Sequence, residues 1–166
     1  MTNDLQKRVI FGAIALAIFT PFLLAGGMAF QFFVGLLAMI ATAELIKMRR
    51  LAPNSIEGVL AMLASLVLTL PLQNYLTFLP TDGNYTAYAI VVFLLLGATV
   101  FNIGRYNYSD VVFPIASSFY VGIGFHSLVL ARMDGLNKVF FALCLVWATD
   151  IGAYMIGRQV GRSKLL

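Results

Sequence analysis

The sixth apolar run of the chain, residues 138–157, reads KVFFALCLVWATDIGAYMIG and contains an acidic residue, Asp150. A helix of about 20 mostly apolar residues is long enough to cross the hydrocarbon core of a bilayer. A carboxylate inside such a helix is costly to bury, and intramembrane residues of this kind usually mark a functional site. The run therefore predicts a transmembrane helix, with Asp150 as the first candidate for a functional residue.

The composition of the whole chain also indicates a membrane protein. Of its 166 residues, 61% are hydrophobic and 11% are charged, whereas a soluble domain carries about 25% charged residues. The net charge of +4 comes from basic residues between apolar runs, where they set membrane orientation, so it does not indicate a nucleic acid partner. The single cysteine, Cys144, cannot form an intrachain disulfide.

The distribution of apolar residues predicts an all-α polytopic membrane protein that forms a single domain over residues 1–166. We expect about six transmembrane helices, at 9–26, 28–46, 57–79, 86–104, 111–131 and 138–157. The pair Gly26-Gly27 predicts a tight turn that makes the first two helices antiparallel neighbours. Asn54 and Glu57 have the spacing of a capping box at the start of the third helix. Pro21 and Pro71 fall inside predicted helices, where they are expected to produce kinks.

The basic residues predict the orientation of these helices. Nine of the eleven lysines and arginines fall on one side of the membrane in this topology, and they are Lys7, Arg8, Lys47, Arg49, Arg50, Arg105, Arg158, Arg162 and Lys164. The other side holds Arg132 and Lys138. Because cytoplasmic loops are enriched in lysine and arginine, both termini are expected in the cytoplasm.

The residues that follow Asp150 suggest what this carboxylate binds. Helical spacing puts Trp147, Asp150, Tyr154 and the GxxxG pair Gly157 and Gly161 on one face, and three cations follow, Arg158, Arg162 and Lys164. Carboxylate oxygens bind Mg²⁺, while arginine and lysine bind phosphate oxygens. This arrangement favours a metal ion and a phosphorylated ligand, and the alternative is a structural aspartate paired with a neighbouring helix. The GxxxG pair is more typical of helix packing.

Three other residues are weaker candidates for the site. Tyr154 lies one turn after Asp150, and Glu44 lies near the end of the second span, three residues before Lys47. An interfacial ion pair with Lys47 accounts for Glu44, although it could face the site if its helix packs near the sixth. His126 lies within the fifth span, where a hydrogen-bonded packing role is commoner than catalysis.

The stretch from Trp147 to Leu165 resembles the phosphatidate cytidylyltransferases, also called CDP-diacylglycerol synthases. The shared pattern is D-x-x-A-Y-x-x-G-[RK]-x-x-G-[RK]-x-K-L, which this chain matches from Asp150 to Leu165. The run Lys7-Arg8-Val9-Ile10 and Glu44 after Ala43 are similar to bacterial members as well. Family members continue into a Ser-Pro-Lys-rich loop and further spans that do not occur here. The resemblance therefore identifies an N-terminal portion, which we expect to be inactive alone.

The resemblance implies a nucleotidyltransferase of phospholipid biosynthesis, located in the plasma or inner membrane as a multi-pass protein. The implied reaction joins CTP and phosphatidic acid to give CDP-diacylglycerol and pyrophosphate. The implied roles are a catalytic and metal-binding one for Asp150, with Mg²⁺ or a similar divalent cation, and a phosphate-binding one for Arg158, Arg162 and Lys164. A homodimer is a possible assembly. The competing hypothesis is a small polytopic membrane transporter that uses Asp150 as an ion site.

The asymmetry of the basic residues predicts the side on which each loop lies. A single cysteine placed within residues 80–85 of a Cys144→Ala background should react with a membrane-impermeant maleimide added to intact cells. One placed beside Arg49 should react only after permeabilisation. Labelling in the reverse order would contradict the predicted orientation.

Overall fold

The computed structural model describes residues 2–75, 83–101 and 108–160, and every regular element within these ranges is helical. Six α-helices occur at the six predicted positions: α1 Thr2–Ala25, α2 Gly27–Met48, α3 Ile56–Thr69, α4 Gly83–Phe101, α5 Tyr108–Asp134 and α6 Leu136–Val160. A short 3₁₀ turn, Leu72–Asn74, follows α3. The prediction of an all-α fold is thus confirmed, and the location of the termini stays a prediction.

Three of these helices are long and apolar enough to cross a membrane, and they are Gly27–Met48, Asp110–Asp134 and Leu136–Gly157. The other three predicted spans are represented by shorter apolar helices, Ile10–Ala25, Ile56–Thr69 and Gly83–Ala98. The number of helices therefore agrees with the sequence, while the crossing of the membrane by the shorter three stays a prediction.

The junction between α1 and α2 is the predicted tight turn. Gly26 and Gly27 have φ values of 64° and 55°. Residues that carry a Cβ rarely adopt such positive φ values. The two helices contact each other through aromatic side chains. The rings of Phe22 and Phe33 stack with centroids 4.2 Å apart. α1 continues through Pro21 as one helix. The glycine turn therefore folds the first two helices against each other.

α3 makes the most extensive helix contacts of the described bundle, with α2, α4 and α5. Small residues allow its neighbours to approach closely, as is common between membrane helices. A Cβ added to Gly35 of α2 would lie 2.7 Å from Cδ1 of Leu66, and one added to Gly122 of α5 would lie 2.9 Å from Cβ of Leu68. Ala61, Ala64 and Ser65 of α3 are fully buried. One part of the core therefore lies around α3, and another lies between α1, α2, α5 and α6.

The predicted third span, 57–79, is wrong as a single helix, because α3 ends at Thr69. Leu70 has extended backbone angles, φ −79° and ψ 136°. Pro71 has no N–H to donate, and its ring disfavours a helical conformation at the preceding residue. The proline therefore terminates the helix, where a kink was expected.

The backbone groups released by this break are bound by side chains of α4 and α5. The side-chain amide of Asn84 donates to the carbonyl of Leu70 and its Oδ1 accepts from the N–H of Leu72 at 3.0 Å. Nδ1 of His126 lies 3.1 Å from the carbonyl oxygen of Thr69, and since a carbonyl only accepts, this nitrogen carries the proton. Unpaired backbone groups are costly in apolar surroundings. These two side chains therefore make the break compatible with the bundle interior.

The start of α3 also differs from the prediction. The capping residue is Ser55, whose Oγ accepts from the N–H of Gly58 at 3.2 Å, and Asn54 lies outside the helix. Ser55 has the extended backbone angles of an N-cap, φ −70° and ψ 161°, from which its hydroxyl reaches the third N–H of the helix. Glu57 is 3% exposed, and neither of its carboxylate oxygens has a hydrogen-bond partner among the described residues. It therefore does not complete a capping box.

The Asn84 contacts predict a measurable loss of stability on truncation. Asn84→Ala removes two side-chain hydrogen bonds from the broken segment, each worth about 0.5–1.5 kcal/mol, and leaves the bond from the N–H of Leu72 to the carbonyl of Leu70 at 2.9 Å. The free energy of unfolding in detergent micelles should fall clearly for this variant. The matched control is Asn74→Ala, since Asn74 is exposed. Equal stability of the two variants would contradict the role given to Asn84.

Candidate functional site

An open groove of about 880 Å³ lies between α2, α5 and α6. Most of the residues that line it are apolar or small, and they are Ala41, Leu45, Met48, Tyr120, Val121, Gly124, Phe125, Leu128 and Val146. The remaining lining residue is Glu44. A long, apolar groove with a single carboxylate is suited to a ligand that has an extended apolar part and a polar end.

Glu44 is both an ion-pair residue and a groove residue. Its Oε1 lies 2.7 Å from Nζ of Lys47, which confirms the predicted ion pair. Both side chains are more than half exposed, at 64% for Glu44 and 54% for Lys47, so the pair contributes little to stability. Val146 of α6 lines the same groove, but α2 and α6 are not in close contact, so a functional role for Glu44 stays a prediction.

Asp150 lies on α6 one turn beyond the groove. It is four residues after Val146, and residues at this spacing lie on the same side of a helix. Asp150 is exposed, and it forms no ion pair or hydrogen bond with another described residue. The alternative of a structural aspartate paired with a neighbouring helix thus finds no support within the described chain. The carboxylate remains open to a ligand at the end of the groove.

The cations that follow Asp150 lie at or beyond the end of the described chain. Arg158 belongs to α6, which extends to Val160, and the structure describes its backbone but not its side chain. Arg162 and Lys164 lie outside the described residues. Tyr154, one turn after Asp150, is 69% exposed. The phosphate-binding role of the three cations therefore stays a prediction.

His126 lies apart from the groove. Its imidazole is bound to the carbonyl of Thr69 at the end of α3, and it is not among the groove residues. This contact is the hydrogen-bonded packing role that the sequence favoured over catalysis. Its hydrogen bond stabilises the break in α3, so the role of this imidazole is structural.

The described residues contain no group of three or more histidine, cysteine, aspartate or glutamate side chains that could hold a metal ion. Mg²⁺ is commonly bound by one or two carboxylates together with substrate phosphates. The open carboxylate of Asp150 fits this arrangement.

Two groove residues of α5, Tyr120 and Gly124, were missed by the sequence interpretation. Their spacing of four residues puts them on one helix face, and this was the available signal. Tyr120 is 79% exposed, and a Cβ added to Gly124 would meet no atom within 4 Å. Gly122, two residues earlier, instead packs against Leu68. The two glycines therefore have different roles, one in helix packing and one in the shape of the groove.

Comparison with known proteins identifies relatives over most of the chain. The family model described as the cytidylyltransferase family matches residues 6–166. A phosphatidate cytidylyltransferase of Staphylococcus saprophyticus is 38% identical over 161 residues, which cover 97% of this chain and 61% of the relative. A protein of the same name from Staphylococcus haemolyticus is 37% identical over the same shares. The chain thus spans about three fifths of these relatives. No solved structure matches it.

The different surroundings of the two α5 glycines predict opposite effects of the same substitution. Gly122→Ala should destabilise the protein, since overpacking a tight contact costs about 1–3 kcal/mol. Gly124→Ala should leave stability unchanged or raise it by up to about 1 kcal/mol, because alanine favours a helix over glycine. Thermal unfolding in detergent compares the pair directly. Destabilisation of similar size in both variants would contradict the open groove at Gly124.

Proposed function

The chain belongs to the cytidylyltransferase family, and on this premise we propose that it forms the lipid-binding part of an enzyme that transfers a cytidylyl group from CTP to phosphatidic acid. The observation that carries the proposal is the apolar groove between α2, α5 and α6, with Glu44 in its lining and Asp150 one turn beyond it. A two-chain phospholipid needs an apolar channel for its tails beside a charged site for its head group. In this proposal the groove is the apolar channel for the tails, and the end of α6 is the charged site for the head group.

In the proposed reaction, an oxygen of the lipid phosphate attacks the α-phosphorus of CTP. A bond forms between these two atoms, while the bond from the α-phosphorus to the oxygen that bridges the α- and β-phosphates breaks. The products are CDP-diacylglycerol and pyrophosphate. Both reactants are anionic, so the chief requirement is to hold negative charges close together and to stabilise the charge on the leaving group.

The residues of this chain meet that requirement in two ways. Arg158, Arg162 and Lys164 would bind phosphate oxygens at the mouth of the site, because guanidinium and ammonium groups form charge-assisted hydrogen bonds with them. Asp150 would hold Mg²⁺ or a similar divalent cation jointly with the substrate phosphates, and the ion would supply Lewis-acid stabilisation of phosphate charge. The apolar walls of the groove would keep the acyl chains out of water and fix the depth of the head group.

The location follows from the substrate. Phosphatidic acid resides in a bilayer, and three helices of this chain are long and apolar enough to span one. We therefore infer a multi-pass protein of the plasma or inner membrane.

The transporter hypothesis has no observation of its own in its favour, since the described helices show neither a pair of broken helices nor an internal repeat. A homodimer stays a prediction.

A hybrid protein offers a direct test of the proposed reaction. In it, residues 6–166 replace the matching part of the phosphatidate cytidylyltransferase of S. saprophyticus. The hybrid should convert CTP and phosphatidic acid in mixed micelles to CDP-diacylglycerol with release of pyrophosphate. Asp150→Asn should keep the fold and lower the rate by about 10²–10³, the usual cost of losing one preorganised electrostatic contact. Asp134→Asn is the matched control, since Asp134 is an exposed carboxylate paired with Lys138.

Two further variants separate the head-group site from the groove. Arg158→Ala should chiefly raise KM for a phosphorylated substrate, because the residue would bind charge at the mouth. Gly124→Leu should raise KM for phosphatidic acid and leave KM for CTP unchanged, since its side chain would fill the groove. Wild-type rates and Mg²⁺ dependence for Asp150→Asn would overturn the role given to Asp150. A hybrid that folds but turns over no CTP would overturn the proposed function.

A further inference from the structure

A second cavity lies at the opposite end of α2, beside the turn that joins α1 and α2. It has a volume of about 320 Å³ and is lined by Gly27, Phe30, Gln31, Arg132 and Met133. Gln31 and Glu44 lie on the same helix, and their separation of thirteen positions corresponds to about 20 Å along its axis. This cavity is therefore separate from the groove and from Asp150.

Arg132 of α5 brings a positive charge to this cavity. Its Nε donates to the carbonyl of Leu23 at 2.7 Å, and its Nη2 donates to the carbonyl of Leu24 at 3.1 Å. These bonds cap the last turn of α1, whose carbonyls would otherwise lack partners. A guanidinium has five N–H groups, so three of them are not used by these two bonds. The guanidinium is thus held in place with donors to spare.

The first turn of α2 adds a second set of donors. The N-cap residue, Gly26, provides no side-chain hydrogen bond, and the first backbone bond of the helix runs from the N–H of Phe30 to the carbonyl of Gly26 at 3.3 Å. The N–H groups of residues 27–29 have no acceptor among the described residues. An uncapped helix N-terminus carries a partial positive charge. This N-terminus adjoins the guanidinium, since a Cβ on Gly26 would lie 2.5 Å from Nη2 of Arg132.

Gln31 supplies a third donor, from inside the protein. It is 7% exposed, and its Oε1 accepts a hydrogen bond from the hydroxyl of Tyr75. Its side-chain nitrogen has no acceptor among the described residues, although the residue lines the cavity. Its N–H groups are thus available to a ligand in the cavity.

From these contacts we propose that the cavity binds a phosphate group, carried by a phospholipid head group or by free phosphate. Three kinds of donor line one small space, and the side-chain acceptor there, Oε1 of Gln31, is already used by Tyr75. The nearest acidic residue in sequence, Asp134, is paired with Lys138 at 2.8 Å. A tetrahedral anion can accept hydrogen bonds from the guanidinium, the helix N-terminus and the amide at once. It would also offset the repulsion between Arg132 and the positive end of α2.

The test uses the purified 166-residue chain in detergent, with two sources of phosphate. Native mass spectrometry measures the binding of dioleoylphosphatidylglycerol, with phosphate-free dioleoylglycerol as the comparison lipid. Thermal unfolding at constant ionic strength measures the effect of inorganic phosphate. Wild-type protein should bind one molecule of the phosphate-bearing lipid, or gain thermal stability from phosphate, or both. Binding of the lipid alone identifies a head-group site, and stabilisation by phosphate alone identifies a site for the free anion.

Variants decide whether this cavity is the site. Arg132→Gln should weaken binding by about tenfold or more, as expected for the loss of a charge-assisted contact. Gln31→Glu keeps an acceptor for Tyr75 and introduces a carboxylate beside Arg132, so it should raise thermal stability without ligand and abolish the response to phosphate. The Gln31→Glu variant still tests the proposal if Arg132→Gln does not fold. The control, Lys138→Gln in an Asp134→Asn background, removes one positive charge from the same end of the bundle without freeing the carboxylate of that ion pair, and it should bind within about twofold of the Asp134→Asn parent.

Two results would overturn the proposal. In the first, wild-type protein binds phosphatidylglycerol no better than dioleoylglycerol and gains no stability from phosphate, which means that water alone fills the cavity. In the second, Lys138→Gln weakens binding as much as Arg132→Gln, or Gln31→Glu binds like wild type. Binding would then reflect the general positive charge of this end of the bundle.

Discussion

The end of α3 inside the bundle imposes the constraint on which much of this structure depends. The apolar interior of a bundle offers no water to backbone N–H and C=O groups, so a helix that stops inside it needs substitute partners. Pro71 stops α3, and Asn84 of α4 and His126 of α5 bind the carbonyls and the N–H group that the break releases. The break therefore ties three helices together. The same chemistry explains why His126, although ionisable, is a structural residue.

Close packing around α3 determines where the groove can form. Gly35 and Gly122 bring α2 and α5 against α3 so tightly that even a methyl group would clash. With their inner faces fixed in this way, α2 and α5 leave their other sides to α6, and α6 contacts mainly α5. The groove lies where α6 fails to close against α2. Gly124 widens the groove further, since it has no side chain and a Cβ added there would meet no atom within 4 Å. A packing requirement at Gly122 and a lack of packing at Gly124 thus arise within one turn of one helix.

The charged residues at the two ends of the bundle are used differently. At one end, Glu44 and Lys47 form an exposed pair, and Asp150 is left without a described partner beside an apolar groove. At the other end, the guanidinium of Arg132 caps α1 and adjoins the uncapped start of α2. Glu57, in the first turn of α3, is buried with no described partner for its carboxyl oxygens. A buried polar group without a hydrogen-bond partner is costly. The proposed lipid chemistry uses the first end only.

Residue patterns alone were sufficient to predict the six helices and the glycine turn, and they singled out Asp150 as a candidate residue. Helix positions follow from runs of apolar residues, because such runs can only be accommodated as helices in a bilayer. The sequence also determined the family, through side chains at fixed spacing after Asp150. Each of these properties depends on residues that are close together in the chain.

The tertiary structure decided everything that depends on contacts between distant residues. Whether Pro71 kinks or ends a helix depends on Asn84 and His126, which are 13 and 55 positions away, and so a kink was wrongly expected. The capping residue of α3 was misplaced by one position, because Asn54 and Ser55 are both competent caps and backbone angles select between them. The groove, the roles of the two α5 glycines and the cavity at Arg132 require three helices to be positioned at once. Hydropathy gives the number and position of helices, but the free energy of close packing and hydrogen bonding between them determines which faces meet.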